Sequence, residues 1–181
     1  MRTRFTIQAY CFVVLICTLS LTIIPNSAVA QTYTFTTIDD PLGVNGTVAH
    51  GISGNDIVGT YWDASNTYHG FLYDGSTWTT IDAPTAALGT SVGGIDGNNV
   101  VGYYQDTSSI AHGFLYNRAT AAYTTLDDPL TAAPQAVTAA NGVSGNYIVG
   151  YFVYGHQGGE IGATGYNGFL YNISTSTFNY R

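Results

Sequence analysis

Lysine is absent from this 181-residue chain, and its four basic residues are Arg2, Arg4, Arg118 and Arg181. Eleven acids, all beyond residue 30, face only two arginines there, so residues 31–181 are strongly negative. No basic stripe can form on such a surface, which argues against nucleic acid and against anionic membranes as partners. Cysteine is nearly as scarce: Cys11 and Cys17 are the only two. From Gln31 onward neither disulfides nor thiolate metal sites can form, and stability has to come from packing. Charged residues make up only 8% of the chain, whereas Gly, Thr, Ser, Asn and Tyr abound. High aromatic and β-branched content with low charge fits an ordered β protein and not a disordered one.

The first thirty residues read as an export signal. Arg2 and Arg4 form a positive head, Cys11 to Ile24 an apolar run broken only by Thr and Ser, and Ala28-Val29-Ala30 a small-x-small cleavage site. The run is shorter than the ~20 apolar residues of a spanning helix, which disfavours an uncleaved anchor. Ile16 before Cys17 is a poor match to a lipoprotein signal. The expectation is a signal peptide over 1–30 and a single repeat domain over 31–181. The product would be secreted, periplasmic or at the cell surface, with no membrane segment after cleavage.

That domain repeats one sentence. Phe35-Thr-Thr-Ile-Asp leads to His69-Gly-Phe-Leu-Tyr, Trp78-Thr-Thr-Ile-Asp to His112-Gly-Phe-Leu-Tyr, and Tyr123-Thr-Thr-Leu-Asp to Asn167-Gly-Phe-Leu-Tyr. The repeats cover about 35–77, 78–122 and 123–177, with the start of a further strand over 178–181. A period of this size signals a supersecondary unit that buries its apolar faces only by stacking on neighbours.

Turn residues divide each copy into four short strands, in the first near Ala49 to Ser53, Asp56 to Trp62, Tyr68 to Tyr73 and Trp78 to Ile81. Ser53-Gly54-Asn55, Asp96-Gly97-Asn98 and Ser144-Gly145-Asn146 are the first hairpin turns; Asp74-Gly75, Asn117-Arg118 and Asn172-Ile173 are the last. Neither face of the middle strands is polar, so the sheets must be sandwiched between other sheets. The glycines at 59, 102 and 150 and at 70, 113 and 168 are small in register, as a closely approaching neighbour sheet would require.

This pattern predicts an all-β fold of three four-stranded, propeller-like blades, plus an extra N-terminal strand over Tyr33 to Ile38. The alternative is a β-trefoil or β-prism closing three units into one body. Three blades leave two open faces, which pairing of two chains or a longer array would hide.

The His-Gly-Phe-Leu-Tyr motif after Ile-Val-Gly-x-Tyr, the Gly-Ile-Ser-Gly turn and Asp-x-Pro (Asp39-Asp40-Pro41, Asp82-Ala83-Pro84, Asp127-Asp128-Pro129) recur together over about residues 35–180. In these motifs the chain resembles the bacterial extracellular HAF repeats, named for a His-Ala-Phe triplet that here reads His-Gly-Phe. The resemblance implies an exported, surface-associated protein, and carries no established enzymatic activity. Some relatives end in a Pro-Glu-Pro sorting signal; the ending Asn179-Tyr180-Arg181 does not match it. Asn167 in place of histidine and an insertion from about Tyr154 to Gly165 set the third copy apart.

His69 and His112 are repeat-equivalent, so each is expected to bond a neighbouring strand or loop, a role that Asn167 can share although it is a poor metal ligand. His50 and His156 are singletons. The blade topology gathers Asp39, Asp40, Asp82, Asp127, Asp128, Asp63, Asp106 and Glu160 on one rim. Each Asp before Pro is expected to fix its turn, and calcium is the cation such carboxylates would suit, although no run matches a calcium loop. Trp62, Tyr68, Tyr104, Tyr154, His156 and Tyr166 flank the same rim, where they either pack between blades or bind a ligand; on the second reading Trp62, Asp63, Tyr68, Tyr104, Asp106 and His156 are the candidate ligand-binding residues, with a surface glycan as the ligand. No nucleophile elbow, phosphate loop or zinc-helix motif is present, so no catalytic residue, metal site or enzyme activity is expected. Glu160, in the insertion of the third copy, is the only acid that clearly lacks a repeat-equivalent position, the feature a glycosidase reading would need. The expected role is a structural or binding module, with self-association or a surface glycan as its partner.

Overall fold

The computed structural model describes residues 32–129, 137–153 and 165–179. Twelve strands form among them, with no helix, and all lie in the unit spanning Thr36–Arg181. The first meander is β1 (Thr47–Ser53), β2 (Asp56–Trp62), β3 (Tyr68–Tyr73) and β4 (Trp78–Ile81). The second is β5 (Gly89–Asp96), β6 (Asn99–Gln105), β7 (Ala111–Asn117) and β8 (Ala122–Leu126). The third is β9 (Val137–Ser144), β10 (Tyr147–Val153), β11 (Tyr166–Asn172) and β12 (Thr177–Asn179).

Within each meander every strand pairs antiparallel with the next. One parallel bridge, Tyr68 to Gly89, joins the first two meanders into an eight-stranded sheet, and the third forms a separate four-stranded sheet. Neither sheet closes into a barrel, the closure that the trefoil alternative requires.

The expected N-terminal strand over Tyr33 to Ile38 does not form. A fourth strand of a meander needs the edge of a third strand, and β3, β7 and β11 already pair with β4, β8 and β12.

The turns follow from the residues that begin them. Gly54, Gly97 and Gly145 hold φ of +61°, +54° and +53° in the first hairpins, a region where a Cβ is costly. The last hairpins depart from expectation in two of the three meanders. Asp74, Asn117 and Asn172 each accept backbone N–H groups two and three residues ahead; the positive φ falls on Gly75 in the first, within the expected turn, and beyond it on Ala121 and Ser176 in the others. The side-chain acceptor fixes these turns strongly enough that glycine is dispensable in two of them.

Gly59, Gly102 and Gly150 are crowded by their own meander and not by a neighbouring one: a Cβ there would lie 2.0–2.1 Å from an inner-strand carbonyl and against the rings of Phe71, Phe114 and Phe169. Gly70 and Gly113 do meet the next meander, at Val92 and Thr138.

Two cores result. The first joins Val58, Leu72 and Ile81 of the first meander to Val92, Ile95, Val100 and Phe114 of the second. The second joins Val101, Leu115 and Leu126 to Ala140, Ile148, Phe152 and Phe169 of the third. Polar bonds repeat across both junctions. Ser53 accepts from the Gly97 N–H (3.2 Å), and its counterpart Asp96 accepts from the Gly145 N–H (2.6 Å). Arg118, the only described cation other than histidine, pairs with Asp56 across the first junction.

Candidate functional site

Strand register explains the rim of the first meander. Tyr61 of β2 stands directly opposite His69 of β3, and their rings stack at 5.1 Å. The β2–β3 turn brings Asp63 alongside, where Oδ1 accepts the backbone N–H groups of Ser65 and Thr67 at 2.8 and 2.9 Å. The connection leaving β4 supplies Asp82, whose Oδ2 accepts from His69 Nδ1 at 2.8 Å. The Nε2 of the same ring faces Asp63 Oδ2 at 3.6 Å. One imidazole thus sits between two carboxylates and clasps two loops to the sheet.

The second meander builds the clasp again. Tyr104 stacks on His112 at 5.1 Å, His112 Nδ1 lies 2.9 Å from Asp127 Oδ1, and Nε2 lies 3.5 Å from Asp106 Oδ2. Asp106 Oδ1 accepts from Ser108 and Ile110. The Thr67 N–H beside Asp63 and the Ile110 N–H beside Asp106 do most to hold both carboxyls below the ordinary carboxylate value; partial desolvation opposes them, and the histidines add to the lowering. Tyr61 and Tyr104 bond Thr80 and Thr125 of the outer strands. In the third meander Phe152 stands opposite Asn167, and Asn167 bonds the Gly165 carbonyl of its own loop.

An open depression of about 380 Å³ adjoins the first clasp, lined by Pro41, Leu42, Val44, Tyr61, Asp63, Ala64 and His69. Of the residues expected to bind a ligand, the structure brings Asp63 to this depression. Trp62, next in β2, points to the other face of the strand and is half-buried. Tyr68 lies between meanders: its hydroxyl donates to Gln105 Oε1 at 2.7 Å, and burial pushes its phenol up to about 12. Tyr104 is buried beneath His112, and Asp106 belongs to the second clasp. His156, Glu160 and Tyr154 fall outside the described residues.

The rim is also less acidic than expected. Asp40 and Asp128 are buried, with their backbone N–H groups bonded to Thr47 and Thr138, while Asp39, Asp82 and Asp127 are exposed. Asp40 turns its chain by accepting from the Leu42 N–H at 2.8 Å, whereas Asp82 and Asp127 are engaged by the histidines. No group of three or more His, Cys, Asp or Glu residues among the described residues is arranged to hold a metal ion. Sequence reasoning passed over Tyr61, although counting back across the β2–β3 hairpin pairs it with His69. His50, read as a singleton, donates from Nδ1 to the Val92 carbonyl at 2.6 Å, across the first junction.

The fold and rim define a class: stacked four-stranded meanders whose connections are clasped by repeat-equivalent histidines and aspartates. Comparison with protein-family models, with curated proteins and with solved structures finds no match.

Proposed function

We propose that the chain is an exported, non-enzymatic repeat protein whose meanders are propeller-like blades, acting at the cell surface or in the extracellular matrix as a structural or binding module. The observation that carries this reading is the duplicated clasp. A reactive centre needs one group free to exchange protons with a substrate. Here both ring nitrogens face carboxylates, and the same arrangement is built twice from residues whose evident work is to hold loops. The leader-like residues 1–30 and the resemblance to HAF repeats support export.

Expression of the full chain in a bacterium, followed by fractionation and N-terminal sequencing, tests it. The expected product begins at Gln31 in an exported fraction; a cytoplasmic product beginning at Met1 would sink the reading.

Carbohydrate binding is the second reading, favoured by the depression beside Tyr61, Asp63 and His69, where an aromatic, a carboxylate and an imidazole meet apolar Pro41 and Leu42. Retention on insoluble polysaccharide that disappears with Asp63→Ala is the expected outcome of this reading. Retention unchanged by both Asp63→Ala and Trp62→Ala counts against the rim.

A further inference from the structure

Equivalent positions in the three meanders differ in one systematic way. Ile57, Val100 and Ile148 occupy the same place in β2, β6 and β10; the last two are wholly buried, and Ile57 is only half-buried. Ile52 is 67% exposed where its counterpart Ile95 is 6% exposed. The opposite face reverses the order. Val58 and Val101 are at 0%, while Val149 in β10 is 51% exposed.

Glycines report the same asymmetry. A Cβ on Gly51 would touch Gly94 of the next meander, and one on Gly94 would touch Gly142. Among the described residues, a Cβ on Gly142 would touch only Val149 of its own meander. Likewise Gly70 and Gly113 are covered by Val92 and Thr138 of the following meander, and at Gly168 the nearest atom is Gly150 O, at 3.9 Å.

One interface is therefore built twice inside the chain, and its two halves stand uncovered at the ends of the described stack. Val149, Gly142 and Gly168 form the half that the first two meanders present to their successors. Ile52 and Ile57, with Ile38, Ala49, His50 and Gly51, line a shallow, mostly apolar groove of about 280 Å³ on the other half. Stacked repeats gain stability mainly from such neighbour interfaces, and exposed apolar faces of this kind mark association sites.

We propose that a second copy of this chain docks head to tail, placing its third meander against the first. Val149 of one copy enters the groove beside Ile52 and Ile57 of the other, as Val58 and Val101 pack within the chain. Ser144 takes the Gly54 N–H of that copy, continuing the links from Ser53 to Gly97 and from Asp96 to Gly145. The joint is heterologous, with different patches on the two sides, so it closes into a ring or extends according to the rotation per unit. It goes beyond the function proposed above and holds or fails whatever becomes of export.

Sedimentation of the full chain, expressed with residues 1–30 in place and recovered from whichever fraction contains it, provides the test across roughly 1 to 100 µM. Wild type is expected to self-associate. Ile52→Arg and Val149→Arg, both at exposed positions, should each keep the wild-type melting temperature at concentrations low enough for the chain to be monomeric, and weaken association roughly tenfold or more. An equimolar mixture of the two variants should regain a two-chain species, because each contributes the half that the other lacks. Thr124→Arg, on the exposed outer strand of the second meander, should associate like wild type. Wild type that stays monomeric overturns the proposal. So does loss of association in only one of the two face variants, which marks a face docking on itself, and so does equal weakening by Thr124→Arg.

Discussion

The second and third meanders carry nearly the same apolar side chains at the same places, yet among the described residues one is covered on both faces and the other on one. Val101 and Val149 differ in neither residue type nor strand position; a following meander seals the first, and the second is half exposed. The rims differ as well. The second meander ends in a His112 clasp, whereas the third has Asn167 facing Phe152 and bonding within its own loop. Burial in stacked repeats is thus a property of place in the stack, while the clasp is a property of the residues themselves.

Glycine substitutions should break this comparison most sharply. Gly113→Ala puts a Cβ 2.8 Å from the Leu126 carbonyl and near Thr138, and is expected to cost about 2 to 3 kcal/mol. Gly168→Ala at the equivalent site meets the Gly150 carbonyl at 3.9 Å, an ordinary contact, and should change stability by less than about 0.5 kcal/mol. Denaturant unfolding of both variants checks the pair, and equal losses would show that the third meander is covered too.

Truncating the valines follows, with Val101→Ala expected to cost about 2 kcal/mol and Val149→Ala about 0.5 kcal/mol or less, read the same way at protein concentrations low enough to keep the chain monomeric. Arg118→Ala removes the partly exposed ion pair at the first junction, for which the second has no described counterpart. A loss near 1 kcal/mol is expected, shrinking in high salt.

The smallest effect concerns the clasps. Asp63 and Asp106 are held below the ordinary carboxylate value of 3.8 in the folded chain, so they contribute stability that is present above that pH and lost as pH falls through their folded values. Melting temperature should drop on acidification below about pH 4, and the slope should be shallower in Asp63→Asn. An unchanged slope would mean that the carboxylate does not hold the β2–β3 turn.

Much of this was legible beforehand because it is local. Strands β2, β3 and β4 fall where the turn residues and side-chain alternation put them, from Asp56 to Ile81. The histidines could be recognised as loop-binding because the repeat duplicates them. Trp62 and Tyr68 read either as a ligand rim or as packing between blades, because aromatics near turns are ambiguous between solvent and a neighbouring sheet. Only the packed meanders show Tyr68 bonded to Gln105. The same ambiguity hid the burial of Asp40 and Asp128, since Asp-x-Pro spelling does not say which carboxylate turns inward.

The sequence by itself therefore determined the strands, hairpins, repeat period and scarcity of positive charge, since these depend on backbone preferences and neighbours a few residues away. Tertiary structure alone decided which faces are sealed and which glycines a following meander covers, because those contacts join residues about one repeat apart; which aspartate meets which histidine was decided by strand pairing that brings together residues 6 to 15 positions apart. The energies of the sealed faces come from desolvation and close packing that no single copy of the repeat possesses.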